Sequence, residues 1–258
     1  MWNIMKAQRY QLRRDKTVYG IVLFVLAISG IFLAQLVLEM PEDICGSAVI
    51  VELGTLFLPA SLLYLLVVTA NIMGNDFLDK TINYEVLSGH SRKQVYLGRV
   101  IPAVIYGIVG TMVLTTLLPV LVTVTQGFGS LMEAEGAWLR YGLLGFVFFR
   151  LVCELVFLTV ITKNTYITYL IGFVFAYAQM ILSILLDSGN EYLMGLGNGL
   201  KLLNFEEWST VLLNEQEQIF YNSALEPELV TGTIVTSLLF GILSLVLGYV
   251  YFKHDDLN

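Results

Sequence analysis

Six runs of roughly twenty mostly apolar residues, parted by short polar stretches, constrain this chain more than any other feature. They fall at about 18–38, 49–73, 100–124, 141–162, 165–186 and 230–252. A helix of roughly 20 apolar residues crosses the ~30 Å hydrocarbon core of a bilayer. The composition agrees, since only 14% of the 258 residues are charged, against about 25% in soluble domains. The chain therefore reads as an all-α membrane protein with six transmembrane helices in a single domain, 1–258. Ala27-Ile28-Ser29 has the small-residue spacing of a signal cleavage site. Apolar residues nevertheless continue to Leu38, so the first run is expected to stay as an uncleaved anchor.

Orientation follows from the basic residues, which are retained on the cytoplasmic side. With the N-terminus inside, Lys6, Arg9, Arg13, Arg14, Lys16, Lys80, Arg92, Lys93, Arg99, Lys163 and Lys253 face the cytoplasm, eleven of the 14 Lys and Arg. Only Lys201 falls outside, while Arg140 lies at a span edge and Arg150 within a span. Both termini are thus expected in the cytoplasm. Acidic residues lean the other way: Glu39, Glu42, Asp43, Glu133, Glu135 and the acids of 187–229 lie outside. That surface reads either as a solvated face or as an attractor for cationic peptides.

Between the second and third runs stands NDFLDKTINYEVLSGHSRKQVYLGR, residues 75–99. Asp79 is expected to cap a helix through Thr81, Ile82, Glu85 and Val86, and Gly89 to end it in a left-handed conformation. Ser91 and Gln94 have capping-box spacing, so a second helix should start at Arg92 and run through Arg99 into the third span. The outcome is a short helix held across the membrane face. Arg92, Lys93 and Arg99 could meet lipid headgroups. Asp76, Asp79 and Glu85 nearly cancel their charge, which suits a protein partner better.

This stretch resembles the segment between spans two and three of the permease subunits of type-2 ABC exporters. Asp79, Thr81, Ile82, Ser91, Arg92, Val95, Tyr96 and Arg99 carry the likeness, and His90 departs from it. The tail YFKHDDLN is similar to that family's closing aromatic, basic and Asp-Leu run. The resemblance implies a cytoplasmic coupling helix seated in a groove of an ATP-binding-cassette ATPase. Asp79, Thr81, Ile82, Glu85, Ser91, Arg92, Tyr96 and Arg99 would be its ATPase-coupling residues. It also implies short outer helices before span six that close a conduit from above.

No G-x-x-x-x-G-K-[ST] loop is present, so the chain has nothing to cradle ATP phosphates. ATP and Mg would reside on the partner ATPase, and this chain would hold no cofactor. Residues 75–99 form the only expected inner loop large enough to receive a push.

Within the spans, Arg150 and Glu154 are four apart and share a helix face. Charges in hydrocarbon cost about 2.5–3.5 kcal/mol each on insertion scales, so such a pair faces protein or water. It reads equally as helix glue and as part of a conduit. Glu52 is placed to meet Arg140, and Gln179 is expected to be interhelical glue. Ser237, Gly241, Ser244 and Gly248 form one small-residue stripe that invites close helix packing. Trp138, Tyr141, Tyr166, Tyr249 and Tyr251 suit interfacial belts. In the outer loop, 187–229, Asn204 and Glu207 precede an amphipathic pattern of Phe205, Trp208, Val211 and Leu212. Phe205, Trp208 and Leu212 are its candidate outer-gate residues, with an interface anchor as the other reading. Residues 1–17 read as a basic amphipathic helix on the inner leaflet.

Cys45 and Cys153 give neither a disulfide framework nor metal spacing, and no metal site is expected. The two histidines, His90 and His254, fall in expected cytoplasmic segments, and no H-E-x-x-H occurs, so an enzyme is disfavoured. The expected function is an ATP-driven exporter subunit of a bacterial cell membrane. Its substrate would be hydrophobic, lipid-like or a peptide, as in self-protection from antimicrobial peptides. Its partners would be a cytoplasmic ATP-binding-cassette ATPase, a second permease copy or paralogue, and membrane lipid, with no nucleic acid. The alternatives are an ion-coupled secondary transporter with Arg150–Glu154 as its site, and a membrane scaffold or sensor subunit.

Overall fold

The structure, a computed structural model, describes residues 1–39, 44–186, 211–213, 219–221, 225 and 227–254. Among these the chain is helical apart from one small hairpin. The helices are α1 (Trp2–Leu12), α2 (Lys16–Glu39), α3 (Gly46–Leu78), α4 (Thr81–Leu87), α5 (Arg92–Gln126), α6 (Ala134–Thr162), α7 (Thr165–Leu186) and α8 (Pro227–His254). Six of them, α2, α3 and α5 to α8, are long and apolar enough to cross a membrane. The protein is a multi-pass membrane protein. At 1.5 Å per residue, the 35-residue α5 is about 52 Å long. It therefore extends well past the hydrocarbon and carries α4 with it.

The hairpin pairs β1 (Val211–Leu213) with β2 (Ile219–Tyr221), and Leu212 stands opposite Phe220. This corrects the expected amphipathic helix at its C-terminal end. Val211, Ile219, Phe220 and Tyr221 are β-branched or aromatic, residue types that fit a pleated surface. A short apolar run does not tell strand from helix by spacing alone. Phe205 and Trp208, the other candidate gate residues, lie outside the described residues, as does the side chain of Leu212.

Helix α6 is the centre of the bundle, with 67% of its apolar window buried against 17% for α2. Its closest companion is α8, and the small-residue stripe explains why. Ser237, Gly241 and Gly248 are buried. A Cβ built at Gly241 would lie 2.7 Å from Phe149 Cε1 of α6. Small side chains let the two backbones approach where lipid supplies no hydrophobic drive. Tyr141, expected in an interfacial belt, is instead buried in the core on α6.

One end of the bundle gathers α1, α4 and the last turn of α8, and we call it the terminal end. Here α1 buries Ile4 and Gln8, and Ile4 fills the space beside Gly98 of α5, where a Cβ would come within 2.9 Å. At the opposite end, the first amides of α3 find carbonyls in the α5–α6 loop. Gly46 N–H donates to Gly127 O at 2.9 Å and Ser47 N–H to Phe128 O at 2.8 Å. Orphan N-terminal donors are thereby satisfied by backbone rather than by a side-chain cap.

The α4 segment and the intramembrane polar cluster

At the terminal end α3 continues to Leu78, so residues 75–78 belong to the span helix and not to a loop. Asp79 and Lys80 alone join α3 to α4. Asp79 is the C-cap of α3, and the N-cap of α4 is Lys80 at φ 54°, with no side-chain cap bond. This corrects the expected capping role of Asp79. So short a link can reverse the chain only if Lys80 takes the left-handed conformation, which places Asp79 one position too early to cap.

The rest of the segment forms as expected. His90 N–H donates to Glu85 O at 3.2 Å and Gly89 N–H to Val86 O at 3.1 Å. Gly89 stands at φ 96°. These are the two bonds of a Schellman ending, which needs a residue without a Cβ penalty at that position. Ser91 Oγ then accepts from Gln94 N–H, and Gln94 Oε1 from Ser91 N–H, both at 3.3 Å. This capping box starts α5 at Arg92.

The inner side of α4 is pinned by one buried guanidinium. Arg99 Nε donates to Asp76 Oδ2 and its Nη1 to Glu85 Oε2, each at 2.7 Å. Asp76 Oδ2 also accepts from Gln8 Nε2 at 2.6 Å. The cluster thus ties α1, α3, α4 and α5 together. Burying a charge costs several kcal/mol, which only well-made pairing offsets. Two carboxylates on one planar fork supply it. Ile82 is buried beside this cluster.

Arg92 and Tyr96 reach the last span. Arg92 Nη1 donates to Phe252 O at 3.2 Å and to Lys253 O at 3.0 Å. It thereby satisfies carbonyls that every helix leaves open at its C-terminus. Tyr96 Oη donates to Leu245 O at 2.9 Å, and its ring lies 5.7 Å from that of Phe252.

The outer side of α4 is different. Tyr84 is 69% exposed and Leu87 is 82% exposed, among the exposed Asp79, Lys80, Ser88 and Lys93. Of the eight residues singled out from sequence, Asp79 and Ser91 are on the surface, while Thr81, Glu85 and Arg92 are half-buried. Ile82, Tyr96 and Arg99 stand behind that surface and not on it. Sequence reasoning missed Tyr84 and Leu87. Their i, i+3 spacing, off the face of Ile82 and Glu85, was the available signal.

A second polar group lies within the spans. Arg150 Nε is 4.0 Å from Glu154 Oε1, and Gln179 Nε2 of α7 donates to Glu154 Oε2 at 2.6 Å. All three are buried. Gln179, expected as interhelical glue, is joined to the acid of the pair, so α6 and α7 are linked through it. Arg140 is buried on α6, and the side chain of its expected partner Glu52 lies outside the described residues. Among the described residues no group of three or more His, Cys, Asp or Glu is placed to hold a metal ion. No model of a known protein family matches the chain, and no curated protein does.

Proposed function

We propose that this chain is the membrane-spanning permease subunit of a type-2 ABC exporter, driven by a separate ATP-binding-cassette ATPase docked on α4. The observation that supports this reading is the mounting of α4. A seven-residue helix presents Tyr84 and Leu87 outward, while Ile82 and the Glu85–Arg99–Asp76 cluster fix it from behind. A loop needed only to join two spans would not require a buried ion cluster beneath it. The basic-residue bias supports a cytoplasmic position for this end, where an ATPase would meet it.

Force applied to α4 has three rigid outlets. Glu85 passes it to Arg99 and Asp76, hence to α5 and α3. Arg92 and Tyr96 pass it to α8. Rearrangement of these spans, in a dimer with a second copy or a paralogue, would move a hydrophobic, lipid-like or peptide substrate out of a bacterial cell membrane. Self-protection against antimicrobial peptides fits the acidic residues that the sequence leads one to expect outside.

The test is co-purification with the cognate ATPase. Tyr84→Ala with Leu87→Asp changes only exposed side chains, so membrane insertion should persist while ATPase binding weakens by about tenfold or more. Undiminished binding by an inserted double variant removes the docking assignment. The Arg150–Glu154–Gln179 cluster supports a second reading, an ion-coupled transporter. Full-rate transport in proteoliposomes driven by an ion gradient, with no ATPase present, would select it over the first.

A further inference from the structure

Between α1, the turn after it and the last turns of α3 lies an open cavity of about 310 Å³. This is near the lower end of the ~300–1,000 Å³ typical of small-molecule sites. Its walls include Gln11 of α1, Arg14 and Asp15 of the turn, Asn71 and Asn75 of α3, and Asp79 at the C-cap of α3.

Several of these polar groups are held in place before any ligand arrives. Asn71 Nδ2 donates to Asp15 Oδ2 at 2.7 Å, and Asn71 Oδ1 accepts from Tyr169 of α7. Asn75 Oδ1 accepts from Thr165 Oγ1 at 2.8 Å. Thr17 N–H donates to Asp15 Oδ1 at 2.8 Å. A carboxylate oxygen can accept more than one bond, so Asp15 retains capacity toward the cavity. Two spans therefore orient the wall, and its groups need little ordering on binding.

Depth and charge together define what fits. The apolar span of α2 begins at Lys16 and that of α3 ends at Leu78. By length and composition, then, the cavity lies at the ends of these two candidate spans, which suits the level of lipid headgroups. Beside it Arg14 lies 4.8 Å over the ring of Tyr10, a pairing suited to that interface. Asp76, which also lines the cavity, is paired with Arg99. That leaves two carboxylates, Asp15 and Asp79, and one guanidinium, Arg14. Carboxylates and amide oxygens are acceptors for an ammonium group, and a guanidinium suits a phosphate. A headgroup carrying phosphate without an amine would meet two negative charges for one positive.

We propose that this cavity binds a phosphate–ammonium zwitterion of the phosphoethanolamine class. That chemistry can come from an ethanolamine phospholipid or from a free phosphoethanolamine. The proposal does not rest on the exporter reading, since it concerns binding by this chain alone.

The experiment is native mass spectrometry of the purified full chain in detergent, with no ATPase present. Short-chain phosphatidylethanolamine, short-chain phosphatidylglycerol and free phosphoethanolamine are each titrated. Retention of the ethanolamine lipid should exceed that of the glycerol lipid by about tenfold. Arg14→Gln alters an exposed side chain, and Asp15→Asn keeps a capping residue before α2. Each should reduce that preference several-fold; Arg14→Gln should leave thermal stability in lipid-free detergent unchanged, whereas Asp15→Asn turns the acceptor of Asn71 into a donor and should lower it slightly. Displacement of the lipid by free phosphoethanolamine identifies the headgroup alone as the ligand, whereas failure to displace it assigns binding to the lipid, whose phosphodiester carries one negative charge where the free monoester carries nearly two. Equal retention of the two lipids, or a preference unchanged in both variants, overturns the proposal.

Discussion

Tyr96 of α5 donates its hydroxyl hydrogen to the carbonyl oxygen of Leu245, about two and a half turns from the end of α8, at 2.9 Å. Gly248 makes this approach possible, because a Cβ there would lie 2.8 Å from Tyr96 Oη. Gly248→Ala should force the hydroxyl aside and destabilise the fold by about 1–3 kcal/mol. Tyr96→Phe should cost about 1 kcal/mol through the lost bond. The double variant should cost less than the sum, since phenylalanine lacks the atom the new methyl group meets. Equilibrium unfolding in detergent measures all three, and strict additivity would show that the contact is not made.

Arg99 is the keystone of the terminal end. Replacing it with leucine leaves Asp76 buried without its cation, at a cost of about 3–5 kcal/mol. Asp76→Asn in the same chain should recover part of that loss. Arg99→Lys should recover little, because Nε and Nη1 serve two different carboxylates and a single ammonium does not reproduce the fork. Denaturant midpoints of the three variants against the parent chain give the ordering.

At Gly89 the cost of substitution should be purely that of the backbone. Nothing lies within 4 Å of a Cβ built there, yet φ is +96°. Gly89→Ala should lose about 1–2 kcal/mol, with Gly89→Asn losing less, since asparagine tolerates left-handed geometry. Limited proteolysis of the α4–α5 junction reports the local effect: faster cleavage in the alanine variant is expected, and equal rates would remove the assigned strain.

Within the bilayer, losses of Gln179 and of Glu154 should rank unequally. Gln179→Leu removes one interhelical bond, worth about 1 kcal/mol in a membrane interior. Glu154→Leu withdraws the carboxylate from a buried Arg150 and should depress the yield of inserted protein much further. If Gln179→Leu proves the more damaging, Glu154 is not the counter-charge of Arg150.

Much of the site was legible because its causes are local. The apolar runs gave the crossings by length alone, and the Ser91–Gln94 box with Gly89 placed the break between α4 and α5 correctly. These signals act over three or four residues, where sequence distance and spatial distance coincide. Asp79 was misjudged as a cap because the reach of α3 to Leu78 could not be read from an edge where apolar and polar residues mix. Leu212 was placed on a helix because a short apolar run fits either period until a pairing partner is known.

The sequence by itself determined how many helices can cross a membrane and where the α4 segment ends, since hydrocarbon thickness and backbone hydrogen bonding leave few choices. Only the tertiary structure decided which polar residues turn inward. Arg99 meets Asp76 across 23 positions, Gln8 meets Asp76 across 68, and Arg92 meets the end of α8 across 160. A guanidinium on a membrane-facing helix reads the same whether it awaits a partner protein or is already neutralised. What distinguishes the two cases is the carboxylate that packing delivers, and that depends on the whole bundle.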